Sequence, residues 1–142
     1  MMDMVTKEAR PSVPVLGEFN KDACQAYVSG LADLWNTLDV DQMLQVFTEA
    51  SRVEYIDKDP AIGLAAIRRM LADNFSTIAT YRLRKFARVV DEPEIVTELD
   101  IRWTTKSEPD IARHARCFEI LRIEDSKLVF WERSPNFRIH DR

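Results

Sequence analysis

The chain has 142 residues, 46% of them hydrophobic and 31% charged, with a formal net charge of −4. That length and balance suit one folded domain with one core. They exclude a disordered chain, which could not bury enough apolar surface to offset its ordering entropy. Arginines interleaved with acids argue against a nucleic-acid partner, and no apolar run approaches the roughly 20 residues that a membrane helix needs.

In chain order, Met1 to Pro14 lacks the apolar stretch of a secretory signal, and Pro11 and Pro14 keep it out of a helix. Residues 1–18 are expected to form a flexible arm. Asn20 is a candidate N-cap, and Tyr27, Leu31, Leu34, Trp35 and Leu38 then recur at the spacing of an amphipathic helix. Asp39 and Gln42 form a capping-box pattern for a second, short helix with Met43, Leu44 and Phe47 on its apolar face. A short strand follows over Arg52 to Ile56, ended by Asp59-Pro60, and a third helix runs from Leu64 to Phe75. From Tyr81 the hydrophobic period falls to near two. Four strands are predicted, over about 80–90, 94–105, 111–124 and 127–134, joined by turn-forming segments.

Three short connections in a row imply an antiparallel meander. Helices first and strands last give an α+β fold, with N-terminal helices packed on a curved, mainly antiparallel sheet that encloses a pocket. The domain is expected over 19–138, with a tail at 139–142 that includes His140.

Several chemistries find no motif. The three glycines, at 17, 30 and 63, leave no phosphate-cradling loop, and there is no G-x-S-x-G elbow. Cys24 and Cys117 form no C-x-x-C pair, and the two histidines have no zinc-ligand spacing, so neither a metal nor a cofactor is expected. The cysteines read as buried free thiols of a reducing compartment, and the location as cytoplasmic.

The alternation of Glu98, Asp100 and Arg102 with Leu99, Ile101 and Trp103 gives strand 94–105 one charged and one apolar face. Either the charged face meets water and the apolar face meets the helices, or the charged face lines a pocket and holds an ion pair. His114, Arg116 and Glu119 put polar groups on both faces of the next strand, so at least one should face a cavity or a subunit partner. His114 is the first candidate for a general base. Tyr55 could donate a hydrogen bond to a substrate carbonyl. Trp35, Trp103 and Trp131 suit a core, or a pocket for a flat aromatic ligand.

Residues 20–138 resemble the nuclear-transport-factor-like, or SnoaL-like, cone fold. The resemblance rests on the helix end at Asp39–Phe47, the Val53-Glu54-Tyr55 strand, the Gly63–Arg68 helix start and the Lys127–Trp131 strand. That superfamily holds ketosteroid isomerases, cyclases, epoxide hydrolases, dehydratases and non-enzymes. The positions matching a ketosteroid isomerase's catalytic set are Leu31, Tyr55 and Glu119, and those matching an epoxide hydrolase's relay are Asp100, Glu98 and Arg133. Both sets are incomplete. The Arg52-Val53-Glu54-Tyr55 run is most similar to scytalone dehydratase, whose strand tyrosine is catalytic, while Trp35 and Asn36 replace that family's second Tyr and an Asp.

Together these features predict a cofactor-free lyase or isomerase of dehydratase or cyclase type, acting on a polyketide- or terpenoid-like molecule of secondary metabolism. Tyr55, His114, Asp100 and Arg102 would be catalytic. Trp35, Asp57, Glu98, Arg116, Glu119 and Trp131 would bind the small hydrophobic or aromatic substrate. The rival reading is a non-catalytic, dimeric small-molecule-binding domain. A homodimer is what the resemblance implies.

Overall fold

The computed structural model describes residues 11–55 and 58–140, the last six as backbone. Helix α1 (Lys21–Asn36) starts where the Asn20 side chain accepts the Ala23 N–H at 2.8 Å, and it buries Tyr27, Val28, Leu31, Leu34 and Trp35. Helix α2 (Val40–Leu44) is capped by the Asp39 carboxylate, which accepts from the backbone of Asp41 and Gln42. Strand β1 (Phe47–Tyr55) and the two-residue β2 (Ala61–Ile62) lead into α3 (Leu64–Phe75). Gly63 sits before α3 at φ +84°, a conformation that disfavours any side chain, and its N–H donates to Ser51 O at 3.0 Å.

Strands β3 (Ile78–Asp91), β4 (Glu94–Thr105), β5 (Ala112–Glu124) and β6 (Lys127–His140) form the predicted antiparallel meander. The sheet order is β2-β1-β6-β5-β4-β3, and β1 lies parallel to β6. The β5–β6 turn has Asp125 and Ser126 both at positive φ, the pairing that matches the right-handed twist of a hairpin. The inner face of the sheet and the buried stripe of α1 make one core.

Three local expectations are corrected. Phe47 lies in β1 opposite Leu128, not on a helix face, because a ladder partner is available there that helical spacing does not reveal. The last strand passes Pro135 and ends at His140 opposite Ala112, so His140 is in a strand, not a tail. Among the described residues β1 pairs with β6 as far as Tyr55 opposite Arg133, and Pro135 lies beyond that point, at a position without a described β1 partner, where a proline is tolerated. Finally, the expected arm is packed from Val13 onward. Val13, Leu16 and Phe19 cover the core, and a Cβ on Gly30 would stand 2.9 Å from the Pro14 Cβ.

Tyr27 ties α1 to the far hairpin by donating to Ser126 O at 2.7 Å, and burial raises its pKa well above the ordinary tyrosine value. Above about pH 10 the unfolded tyrosine ionises while the folded one stays neutral, so the unfolded state binds fewer protons and stability falls. We expect Tyr27→Phe to cost about 1 kcal/mol at pH 7 and to flatten the alkaline loss. Chemical denaturation at pH 7 and pH 11 measures both.

Candidate functional site

The inner face of the sheet is not uniformly apolar. Lys85 on β3, Thr97 on β4 and Glu119 on β5 point into it because each keeps the period-two phase of its apolar neighbours, and Trp131 on β6 joins them after the register shift opposite Arg122 and Ile123. Lys85 Nζ donates to Glu119 Oε1 at 2.7 Å, and Thr97 Oγ1 donates to the same oxygen at 2.8 Å. Trp131 Nε1 donates to Oε2 at 2.6 Å. Three donors thus converge on one carboxylate. The Lys85 and Glu119 side chains are 2% and 0% exposed. Burial pushes the Lys85 pKa down, while the charge and hydrogen bond of Glu119 pull it up. The ammonium also lies 5.7 Å and 5.5 Å from the ring centroids of Trp35 and Trp131.

Beside this network lies a cavity of about 300 Å³. Trp35, Phe75, Tyr81 and Trp103 form its aromatic walls, with Leu71, Ile78 and Ile101. Its polar groups come from Tyr55, Lys58, Asn74 and Arg133. Arg133 Nη1 approaches Tyr55 Oη at 3.5 Å, and Asn74 Nδ2 approaches it at 3.4 Å. The Arg133 guanidinium also stands 5.7 Å from the Tyr55 ring centroid and 6.0 Å from that of Trp131. Arg133 is partly exposed and lines the cavity wall. Burial opposes its charge, but Tyr55, Cys117, Tyr81 and Glu119 more than offset that and raise its pKa.

The structure separates the predicted site residues into two groups. Tyr55 and Trp35 line the cavity. Trp131 and Glu119 lie behind it in the buried network, with the Trp131 ring 5.7 Å from Trp35 and 6.2 Å from Tyr55. Asp57 falls outside the described residues. Glu98, Asp100, Arg102, His114 and Arg116 occupy the opposite, outer face of the sheet, which corrects the expectation that they bound the pocket. The reason is the pleat: Leu99, Ile101 and Trp103 take the inner positions, so their neighbours must point out.

On that outer face Arg88 and Arg116 both bind Glu98. These hydrogen bonds hold the Glu98 carboxyl below the usual carboxylate range. Asp100 accepts from His114 Nε2 at 3.2 Å and lies 3.5 Å from Arg102 and 3.7 Å from Arg84. The arginines are more than half exposed, so this lattice adds little stability.

Arg133, Lys85, Asn74, Lys58 and Tyr81 were not singled out as site residues. Lys85 was detectable, since it shares the phase of Leu83 and Ala87. Arg133 had only its match to an epoxide hydrolase position.

Two predictions follow from this geometry. Glu119→Gln leaves the Lys85 charge buried without its partner, and Lys85→Met does the reverse to Glu119, so each costs about 3–5 kcal/mol. The double variant should cost clearly less than the sum of the two, measured by urea denaturation; strict additivity would contradict the coupling. His114→Ala and Asp100→Asn, on the far face, should leave ligand affinity in the cavity unchanged within about twofold by calorimetry.

A family profile described as the SnoaL-like domain matches residues 28–131. No curated protein matches the chain significantly. Among solved structures, the fold is similar to SalBIII, an epoxide hydrolase/cyclase-like enzyme described with a role in pyran ring formation in the polyether salinomycin. That match has TM-score 0.70 and 17% identity, covering 84% of this chain and 95% of that one. An LEH-like epoxide hydrolase from M. tuberculosis matches at TM-score 0.63 and 11% identity, over 80% and 84% of the two chains. A protein of ketosteroid isomerase-like fold from Catenulispora acidiphila matches at 0.66 and 12%, over 75% and 82%.

Proposed function

The chain belongs to the SnoaL-like domain family, and from that premise we propose that its cavity binds a flat, largely apolar molecule of polyketide or terpenoid type and moves a proton at or beside a carbonyl group. The reading is a cofactor-free enzyme of isomerase, dehydratase or cyclase type. The observation that carries it is the environment of the Tyr55 hydroxyl. Arg133 can only donate hydrogen bonds, and it approaches the phenol oxygen at 3.5 Å. Asn74 Nδ2 approaches from the helix side at 3.4 Å. With donors on its lone pairs, the phenol has its own proton to give, and Tyr55 forms part of the cavity wall. A substrate oxygen there would take that proton. The fixed guanidinium would stabilise the negative charge growing on the tyrosine oxygen as it leaves. General acid help of this kind contributes about 10²–10⁴-fold.

The aromatic walls suit the ligand class. Trp35, Phe75, Tyr81 and Trp103 give the cavity aromatic walls, and about 300 Å³ admits two or three fused rings. The likeness in fold to an epoxide hydrolase/cyclase-like enzyme and to an LEH-like epoxide hydrolase supports an enzyme reading.

A second reading is a binding pocket without chemistry. It is favoured by one observation: among the described lining residues there is no carboxylate, imidazole or thiol to accept a carbon-bound proton. The test is solvent exchange of the α-protons of bicyclic aromatic ketones in D2O, followed by NMR. We expect exchange above the buffer rate, falling at least 100-fold in Tyr55→Phe while ketone affinity changes less than threefold. Tight ketone binding without any exchange would establish the binding-pocket reading instead.

A further inference from the structure

The charge balance of the interior is unequal. Lys85 and Glu119 neutralise each other through a 2.7 Å ion pair. Arg133 has no such partner: among the described residues no carboxylate lies within ion-pair distance of its guanidinium. Its nearest polar neighbours are long contacts to neutral groups, the Tyr55 hydroxyl at 3.5 Å and the Cys117 sulfur at 3.6 Å. Its Nε is buried and, among the described residues, has no hydrogen-bond partner. Such orphaned donors are rare in folded proteins. The ring faces of Tyr55 and Trp131 and the more distant Glu119 favour the charge, but none of them takes a hydrogen bond from that nitrogen.

The cavity wall shows the same sign. It carries two cations, Arg133 and Lys58, and no acid among its described residues, in a chain whose net charge is −4. Lys58 Nζ also lies 5.7 Å from the Tyr55 ring centroid. The positive charge is therefore concentrated around Tyr55, in an otherwise largely aromatic and apolar cavity.

From this arrangement we infer that the natural ligand is an acid: an aromatic or polycyclic molecule whose carboxylate pairs with Arg133, with Lys58 adding to the field. The inference rests on the reading that this cavity is the site, and it specifies the substrate class. A planar guanidinium matches a carboxylate in a two-pronged pair, which neither a ketone nor an amide can form. The carboxylate would anchor one end of the ligand, so that the rings lie against the aromatic walls and a neighbouring oxygen meets Tyr55.

The test is calorimetric titration of the full chain with 2-naphthoate, 2-naphthamide and 2-acetylnaphthalene, which share one ring system and differ in charge. We expect the acid to bind at least tenfold tighter than the amide or the ketone, with that preference shrinking as salt is raised. In Arg133→Met the preference should disappear while the ketone still binds. Lys58→Met, at an exposed position, should reduce it two- to fivefold. Equal or weaker binding of the acid by the wild-type protein overturns the inference, as does an unchanged preference in Arg133→Met. If Arg133→Met does not fold, the wild-type comparison and Lys58→Met decide. Acid-selective binding without proton exchange would leave this inference standing and defeat the catalytic reading; exchange of ketones without acid selectivity would do the opposite.

Discussion

The interior is organised around one buried carboxylate. Glu119 takes a hydrogen bond from β3 through Lys85, from β4 through Thr97 and from β6 through Trp131, while Lys85 in turn faces the indole of Trp35 on α1. Four strands and the main helix therefore converge on one charged group. Taking two charges from water costs several kcal/mol each, and the ion pair and the two further donors on Glu119 offset that cost. The arrangement fixes the rings of Trp35 and Trp131 at 5.7 Å and a steep angle, and those rings stand next to Tyr55 and the cavity. It also consumes the only acid of the described interior, and so leaves Arg133 as an unpaired positive charge facing the pocket.

The two faces of the sheet thus hold two kinds of electrostatics. Outside, arginines that are more than half exposed pair with largely covered acids, and water screens the arginine side of each pair. Inside, few charges are present, each is shielded, and an imbalance of one is consequential. Ligand recognition belongs on the inner face for that reason. Tyr55 connects the two parts of the interior, since it touches Trp131 on one side and takes long contacts from Arg133 and Asn74 on the other.

Much of the fold was legible because it depends on local rules. The helical spacing of Tyr27, Leu31, Leu34 and Trp35, the Asn20 cap and the alternation from Tyr81 onward each follow from one element's own period. The parallel pairing of β1 with β6 was not, because nothing local encodes a partner some 80 residues away. At the site, alternation was visible, but which face it turned inward depended on what packs there. Charged residues drew attention to Glu98, Asp100, Arg102 and His114, whereas Leu99 and Ile101 already showed which side the core claims. Arg133 was hard to see, since a single arginine before Ser134-Pro135 reads as a strand end. Only the run of β6 beyond it, against β5, turns that position into a wall of the cavity.

The account stands or falls on which face receives the ligand. Titrating 2-acetylnaphthalene into the ¹⁵N-labelled protein and following the indole signals of Trp35 and Trp103 beside the imidazole of His114 addresses this directly. The account predicts that both indoles shift along one binding curve while His114 stays in place. A shift of His114 with the Trp35 and Trp103 indoles unmoved would place the ligand on the outer face and contradict it.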